Sequence, residues 1–279
     1  MIHILEPQDN EFVQFIMDVT YNQLDDMTTY ISPKHLKMHI VRSLDAKPLP
    51  VIVWIVGGGF YRINKDYFLP QLVEFARRGY FVASIEYRIS SEAVFPAQLE
   101  DVKSAIRFLR ANADKYKIDP DRIGVWGESA GGNLAALLGT TADISEFEGS
   151  GDWQGYSSSV QAVVDWYGPT DLALIPANRP YPSAYIGAPV RDNPDKAARA
   201  NPITYITKNV PPFLIMHGYD DAIIPIASSD LLYEALKKAG ADVTFYKVKG
   251  AGHGAVGFSQ PHILQIVRDW FDEKLKGDG

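Results

Sequence analysis

Residues Arg122–Leu138 read RIGVWGESAGGNLAALL, and the fold is decided there. An apolar strand over Arg122–Trp126 runs into Gly127-Glu128-Ser129-Ala130-Gly131 and then straight into an alanine- and leucine-rich helix, expected over Ala130–Thr140. G-x-S-x-G between a strand and a helix puts the serine on a sharp, strained turn, its hydroxyl lifted clear of the sheet edge at the positive end of the helix. Glycine is needed on both flanks, because a side chain two residues either way would collide with neighbouring backbone. The bland alternative is a glycine-flanked helix N-cap. The strand before, the helix after and the extra Gly132 favour the nucleophile turn.

Outward from this stretch, short β-branched and aromatic runs alternate with longer amphipathic ones. Strands are expected at Leu36–Val41, Val51–Val56, Tyr80–Tyr87, Gln161–Tyr167, Pro212–His217 and Val243–Val248. Several are apolar on both faces (VIVWIV, FLIM), as central parallel strands covered by helices must be. Helices are expected at Tyr67–Arg78, Gln98–Tyr116, Ser228–Ala239 and Pro261–Lys276. Leu99, Val102, Ile106 and Leu109 recur at helical spacing within the second of these. The alternation predicts an α/β fold, a mainly parallel sheet with helices on both faces. With no repeat, low-complexity tract or linker, residues 1–279 are expected to form a single domain. Irregular insertions at about 142–159 and 172–202, rich in Gly, Pro, Ser and aromatics, interrupt it. Long irregular segments in a compact domain are binding loops, lids or solvated surface.

Composition removes whole classes of chemistry. The chain has no cysteine, so disulfides, thiolate metal sites, iron–sulfur ligation and a cysteine nucleophile are excluded together. With 27 basic against 34 acidic residues the net charge is −7, which disfavours nucleic acid and anionic membranes as partners. The longest apolar run, Leu49–Val56, is far short of the ~20 residues that span a bilayer. The opening MIHILEPQDN has neither a positive n-region nor a continuous apolar h-region. The expectation is a cytoplasmic protein, or an exported one whose signal is not part of this sequence; its oligomeric state is open, a homodimer included.

A serine nucleophile needs an adjacent base, and the base needs an orienting carboxylate. Behind a turn of this type the order along the chain is serine, acid, histidine. Six histidines compete. His3, His35 and His39 precede the serine, His262 opens the final helix, and His217 ends an apolar strand, where a structural role is expected. His253 stands in KGAGHGAVG, a glycine-rich loop between the last strand and the last helix, which can carry an imidazole back to the sheet edge. Asp220 and Asp221 in HGYDDAIIP are both available as the acid; Asp221 is preferred because Pro225 completes H-G-x-x-D-x-x-x-P, and Asp220 is the alternative. A tetrahedral oxyanion needs backbone N–H donors, one of them from the residue after the nucleophile, Ala130. Val56-Gly57-Gly58-Gly59-Phe60 follows an early strand, and its glycines let backbone approach a substrate carbonyl. A phosphate-cradling reading of the triple glycine fails for lack of either phosphate-loop pattern.

Gly-Gly-Gly-Phe after a strand, GESAGG, HGYDD and GAGHG, in that order, resemble an α/β-hydrolase. The chain is similar to hormone-sensitive-lipase-like and feruloyl-esterase-like bacterial carboxylesterases, also through EYRISSEAVFPAQLEDVKSAIRFLRANA, KIDPDRIGVWGESAGGNLAALLGTT, VVDWYGPTDL and ARANPITYI. The resemblance runs from about Leu36 to Phe271. It implies Ser129, Asp221 and His253 as a catalytic triad, Gly58, Gly59 and Ala130 as the oxyanion hole, and no metal or organic cofactor. The implied reaction is hydrolysis of small or aromatic carboxylic esters, such as acetyl or feruloyl esters. Phe60, Tyr61, Trp153, Tyr181 and Tyr185 are candidates to hold the substrate, with Trp166 equally suited to the core. One departure stands out: the group carries His-Gly-Gly-Gly where this chain has Val56, which puts the bracing of the oxyanion loop in question. The competing functions are a non-catalytic small-molecule binding protein on the same fold and a serine peptidase.

Overall fold

The computed structural model describes residues 12–24, 33–44 and 47–277, and the opening decapeptide, with His3, lies outside them. The described strands are β1 (Val13–Leu24), β2 (Lys34–Ser43), β3 (Leu49–Ile55), β4 (Phe81–Ile85), β5 (Ile118–Glu128), β6 (Ala162–Trp166), β7 (Phe213–Gly218) and β8 (Val243–Val248). They form one sheet in the order β1-β2-β4-β3-β5-β6-β7-β8. β1 and β2 pair antiparallel, as do β2 and β4; every other neighbour is parallel. This is the α/β-hydrolase fold.

The β3 residues show why the sheet is covered on both faces. Val51, Val53 and Ile55 point into one core and Ile52, Trp54 and, just past the strand's end, Val56 into the other, and all of them are buried. The first core is closed by α2 (Ala97–Ala111), α4 (Ala130–Thr140) and α7 (Ala227–Lys238), the second by α1 (Leu69–Arg77) and α9 (Pro261–Phe271). The second core is aromatic: Trp126 stands edge-on to Trp54 at 4.8 Å and to Trp166 at 4.7 Å, each ring from a different strand. Short helices α3 (Ala113–Tyr116), α5 (Tyr181–Ile186), α6 (Pro194–Arg199) and α8 (Ala255–Phe258) complete the set among the described residues. The segment 172–202 is therefore built largely of short helical pieces, whereas 142–159 holds only a 3-10 turn at Ser145–Phe147.

Strand β1 is not among the strands expected from the sequence. Its register with β2 slips between Ile16 and Val19 and again between Thr20 and Asn22, and Asp18 has φ +54°. These bulges break the period-2 alternation by which a strand is recognised, and the edge position leaves most of its residues outside the core.

The strand order places the site. From the carboxyl end of β3 the chain turns toward β4, and from that of β5 it turns the opposite way, toward β6. Loops that diverge in this manner leave a crevice above adjacent strands, where ligands of open α/β sheets bind. The Gly57–Gly59 loop and Ser129 flank that crevice.

Candidate active site

Ser129 has φ +55° and ψ −120°, a conformation costly for any residue with a Cβ. Its surroundings enforce it. Its N–H donates to the Trp166 carbonyl at 2.8 Å, and its own carbonyl accepts from Asn133 N–H at 3.1 Å. The strand can pass so close under α4 because Gly127 and Gly131 lack side chains. A Cβ on Gly127 would lie 2.1 Å from the Gly131 carbonyl oxygen, and one on Gly131 2.0 Å from that of Ile55.

The structure brings Ser129, His253 and Asp221 into one hydrogen-bonded chain. His253 Nε2 lies 2.9 Å from Ser129 Oγ and its Nδ1 lies 2.7 Å from Asp221 Oδ2. A carboxylate only accepts, so Nδ1 carries the proton and Nε2 is left to accept from the serine. Asp221 Oδ1 takes the N–H groups of Ile223 at 2.8 Å and Ile224 at 2.9 Å. Burial alone would raise the Asp221 pKa, but hydrogen bonds from His217, His253 and Ile224 hold it well below the usual carboxylate range. Asp220 is exposed and does not line the cavity.

His217, fully buried at the end of β7, is a second brace on the acid. Its Nε2 faces the Ile224 carbonyl at 3.0 Å and Asp221 Oδ2 at 3.2 Å, while Nδ1 lies 2.7 Å from Ser229 Oγ. Two acceptors around Nε2 place the proton there. Tyr167 supports the imidazole, its ring edge-on to His253 at 4.8 Å.

The Gly57–Gly59 loop is braced from two sides despite Val56. Glu128 Oε1 accepts the Gly57 N–H at 2.9 Å, and its Oε2 accepts the Tyr167 hydroxyl at 3.0 Å. Tyr87 donates to the Val56 carbonyl at 2.9 Å, while the Val56 side chain sits in the aromatic core. Gly58 and Gly59 have φ +136° and +62°, which turn the loop toward the crevice. Ala130 opens α4, so its N–H has no preceding turn to bond to. Neither Glu128 nor Tyr167 was singled out from sequence. An acidic residue beside Ser129 is the one signal the sequence offers, and its partners come from the loops after other strands.

The candidate substrate residues divide. Phe60, Tyr61 and Tyr181 line a cavity of about 860 Å³ around Ser129, together with Tyr67, Arg62 and Arg179. The Phe60 ring is fully buried, stacked on Tyr185 with centroids 3.6 Å apart. Tyr185 lies in the layer beneath, its hydroxyl 3.3 Å from Asn133 Oδ1, and does not reach the cavity. Trp153 is also placed elsewhere, edge-on to Phe108 at 5.9 Å. Trp166 is core. Among the described residues no cluster of acidic or histidine side chains is arranged to hold a metal ion, and no helix is long and apolar enough to cross a membrane.

The BD-FAE family profile matches residues 38–236. The chain belongs to the BD-FAE family of α/β-hydrolases. Esterase LipC of Mycobacterium tuberculosis is 33% identical over 227 residues, 76% of this chain and 55% of LipC. The chain thus spans about half the length of the curated relatives it matches. Among solved structures, a truncated carbohydrate esterase from gut microbiota superposes with a TM-score of 0.85 at 31% identity, covering 97% of this chain and 99% of that one. Thermogutta terrifontis esterase 2, solved as the form phosphorylated by paraoxon, gives a TM-score of 0.77 at 25% identity, covering 97% of each chain.

Proposed function

We propose that this BD-FAE member is a serine carboxylesterase that hydrolyses small or aromatic carboxylic esters. The observation that carries it is the hydrogen-bonded chain Ser129–His253–Asp221, whose first two members line the cavity. His253 Nε2 takes the Ser129 proton as Oγ attacks the ester carbonyl, and the new oxyanion is met by N–H groups of Gly58, Gly59 and Ala130. His253 then protonates the departing alcohol. Water, deprotonated by the same imidazole, attacks the acyl-enzyme and frees the acid. Asp221 stays ionised throughout and stabilises the imidazolium. Tyr61, Tyr67 and Tyr181 offer faces to an aromatic acyl group, and the cavity volume falls within the range of small-molecule sites.

The test is a panel of 4-nitrophenyl acetate, 4-nitrophenyl butyrate, methyl ferulate and methyl cinnamate, run beside labelling with a fluorophosphonate probe. Turnover together with labelling is expected. Neither hydrolysis nor labelling would favour the non-catalytic binding protein instead, since labelling demands an activated serine.

Glu128→Ala tests the oxyanion loop separately. Without the Glu128 carboxylate the Gly57 N–H loses its acceptor and the donors that follow lose their register. Complete loss of one donor costs about 10²–10³-fold in kcat, so a loosened loop is expected to cost about 10- to 100-fold with KM little changed. A kcat within twofold of the parent enzyme would show that Tyr87 alone holds the loop.

A further inference from the structure

Arg62 and Arg179 flank the cavity, both exposed, and among the described residues neither side chain has a hydrogen-bond or ion-pair partner. Both are tied to the oxyanion loop. A Cβ built on Gly58 would stand 3.3 Å from Arg62 Cγ, so the arginine's stem runs directly against that glycine. A Cβ on Gly59 would stand 3.5 Å from Tyr181 Cγ, so the short segment from Arg179 to Tyr181 passes over the next one. The Tyr181 hydroxyl is itself buried without a partner, in a residue that lines the same cavity.

The cavity's acids do not answer these cations. Glu128, the single carboxylate among its lining residues, has one oxygen on the Gly57 N–H and the other on the Tyr167 hydroxyl. Asp221 stands behind His253, engaged with both imidazoles. Two exposed, unpaired guanidinium groups lining the cavity of a chain with net charge −7 thus make a local field opposite in sign to the protein's own. A guanidinium fork matches a carboxylate in geometry and charge.

We propose that the natural substrate is an ester bearing a second, ionised carboxylate, which Arg62 and Arg179 receive while Tyr181 donates a further hydrogen bond, an inference that rests on the esterase activity proposed above. The carboxylate lies either on the acyl group or on the alcohol, and paired substrates tell these apart. On the acyl side the pair is mono-4-nitrophenyl adipate and 4-nitrophenyl hexanoate. On the alcohol side it is 4-carboxyphenyl acetate and 4-carbamoylphenyl acetate.

The expected result is a kcat/KM about tenfold higher for the anionic member of at least one pair, falling as sodium chloride is raised from 20 to 500 mM. In the Arg62→Gln, Arg179→Gln double variant the anionic-to-neutral ratio drops to about one. The corresponding double lysine variant retains part of the preference, because charge remains while the fork is lost. Reading a ratio cancels any effect of these substitutions on the oxyanion loop. Equal or better turnover of the neutral member in both pairs overturns the proposal and leaves the esterase standing. So does a ratio that survives the double glutamine change. No turnover of any of the four esters, with no fluorophosphonate labelling, overturns the esterase reading and this inference together.

Discussion

Ser129→Ala is expected to lower kcat by about a million-fold while leaving the protein folded and its cavity intact. The magnitude follows from how a triad works: its members act as a unit, and removal of the nucleophile costs about as much as removal of all three. Alanine keeps the Cβ and hence the same strained backbone at φ +55°, so the turn is neither relieved nor newly loaded. The single hydrogen bond lost is the one to His253 Nε2, at a partly buried site, which costs about 1 kcal/mol. Activity and stability are therefore expected to separate cleanly. The measurements are steady-state hydrolysis of 4-nitrophenyl acetate, fluorophosphonate labelling and the thermal midpoint. Retained labelling in the alanine variant would place the reactive group elsewhere. A variant that fails to fold would mean that the serine's role is structural. Ser129→Gly sharpens the comparison, because glycine adopts the positive φ without a steric penalty. It should be as inactive as the alanine variant and at least as stable.

What the sequence made legible is what is local. The turn at Ser129 could be read because strand, glycines and helix are contiguous, and the steric demand on Gly127 and Gly131 is a property of a few consecutive residues. The parallel strands could be read because burial on both faces makes them continuously apolar, as in β3. His253 and Asp221 stand out as candidates because each sits in a short loop with its own pattern, although their meeting across 32 residues is a product of the sheet order. What escaped is what depends on register and on layers. Strand β1 was hidden by its bulges. Glu128 could not be seen as a brace, since the Gly57 N–H and the Tyr167 hydroxyl reach it from the loops after two other strands. The aromatic residues Trp153 and Tyr185 are candidate substrate contacts by composition, yet neither lines the cavity: Trp153 is partly exposed and edge-on to Phe108, and Tyr185 is buried against Phe60. An aromatic ring satisfies either role, and no periodicity in a loop says which face it will meet.

Asp221→Asn is the second large effect, expected at about 10⁴-fold in kcat through a change of tautomer. Asp221 Oδ1 accepts from Ile223 and Ile224, so the asparagine oxygen remains there, and its NH₂ takes the place of Oδ2. That NH₂ now donates to His253 Nδ1, the proton moves to Nε2, and the imidazole presents a donor to Ser129 where it must accept. The same NH₂ also confronts the proton on His217 Nε2, which the carboxylate had accepted at 3.2 Å. To avoid two opposed donors His217 must shift its proton to Nδ1, toward Ser229, and the Ile224 carbonyl then loses its donor. A stability cost follows, with a defined pH dependence. The Asp221 carboxylate is held well below its usual pKa in the folded protein, in spite of burial, by its hydrogen bonds. A depressed carboxylate stabilises fully above its unfolded pKa of about 3.9 and progressively less as pH falls below it. Urea unfolding of parent and variant is therefore expected to show a gap at pH 7 that narrows at pH 3. Asp220→Asn is the control, because Asp220 is exposed and, among the described residues, only its backbone N–H is engaged, with the Ala251 carbonyl. It should change kcat less than twofold. If Asp221→Asn stays within tenfold of the parent and Asp220→Asn does not, the orienting acid has been misassigned by one residue.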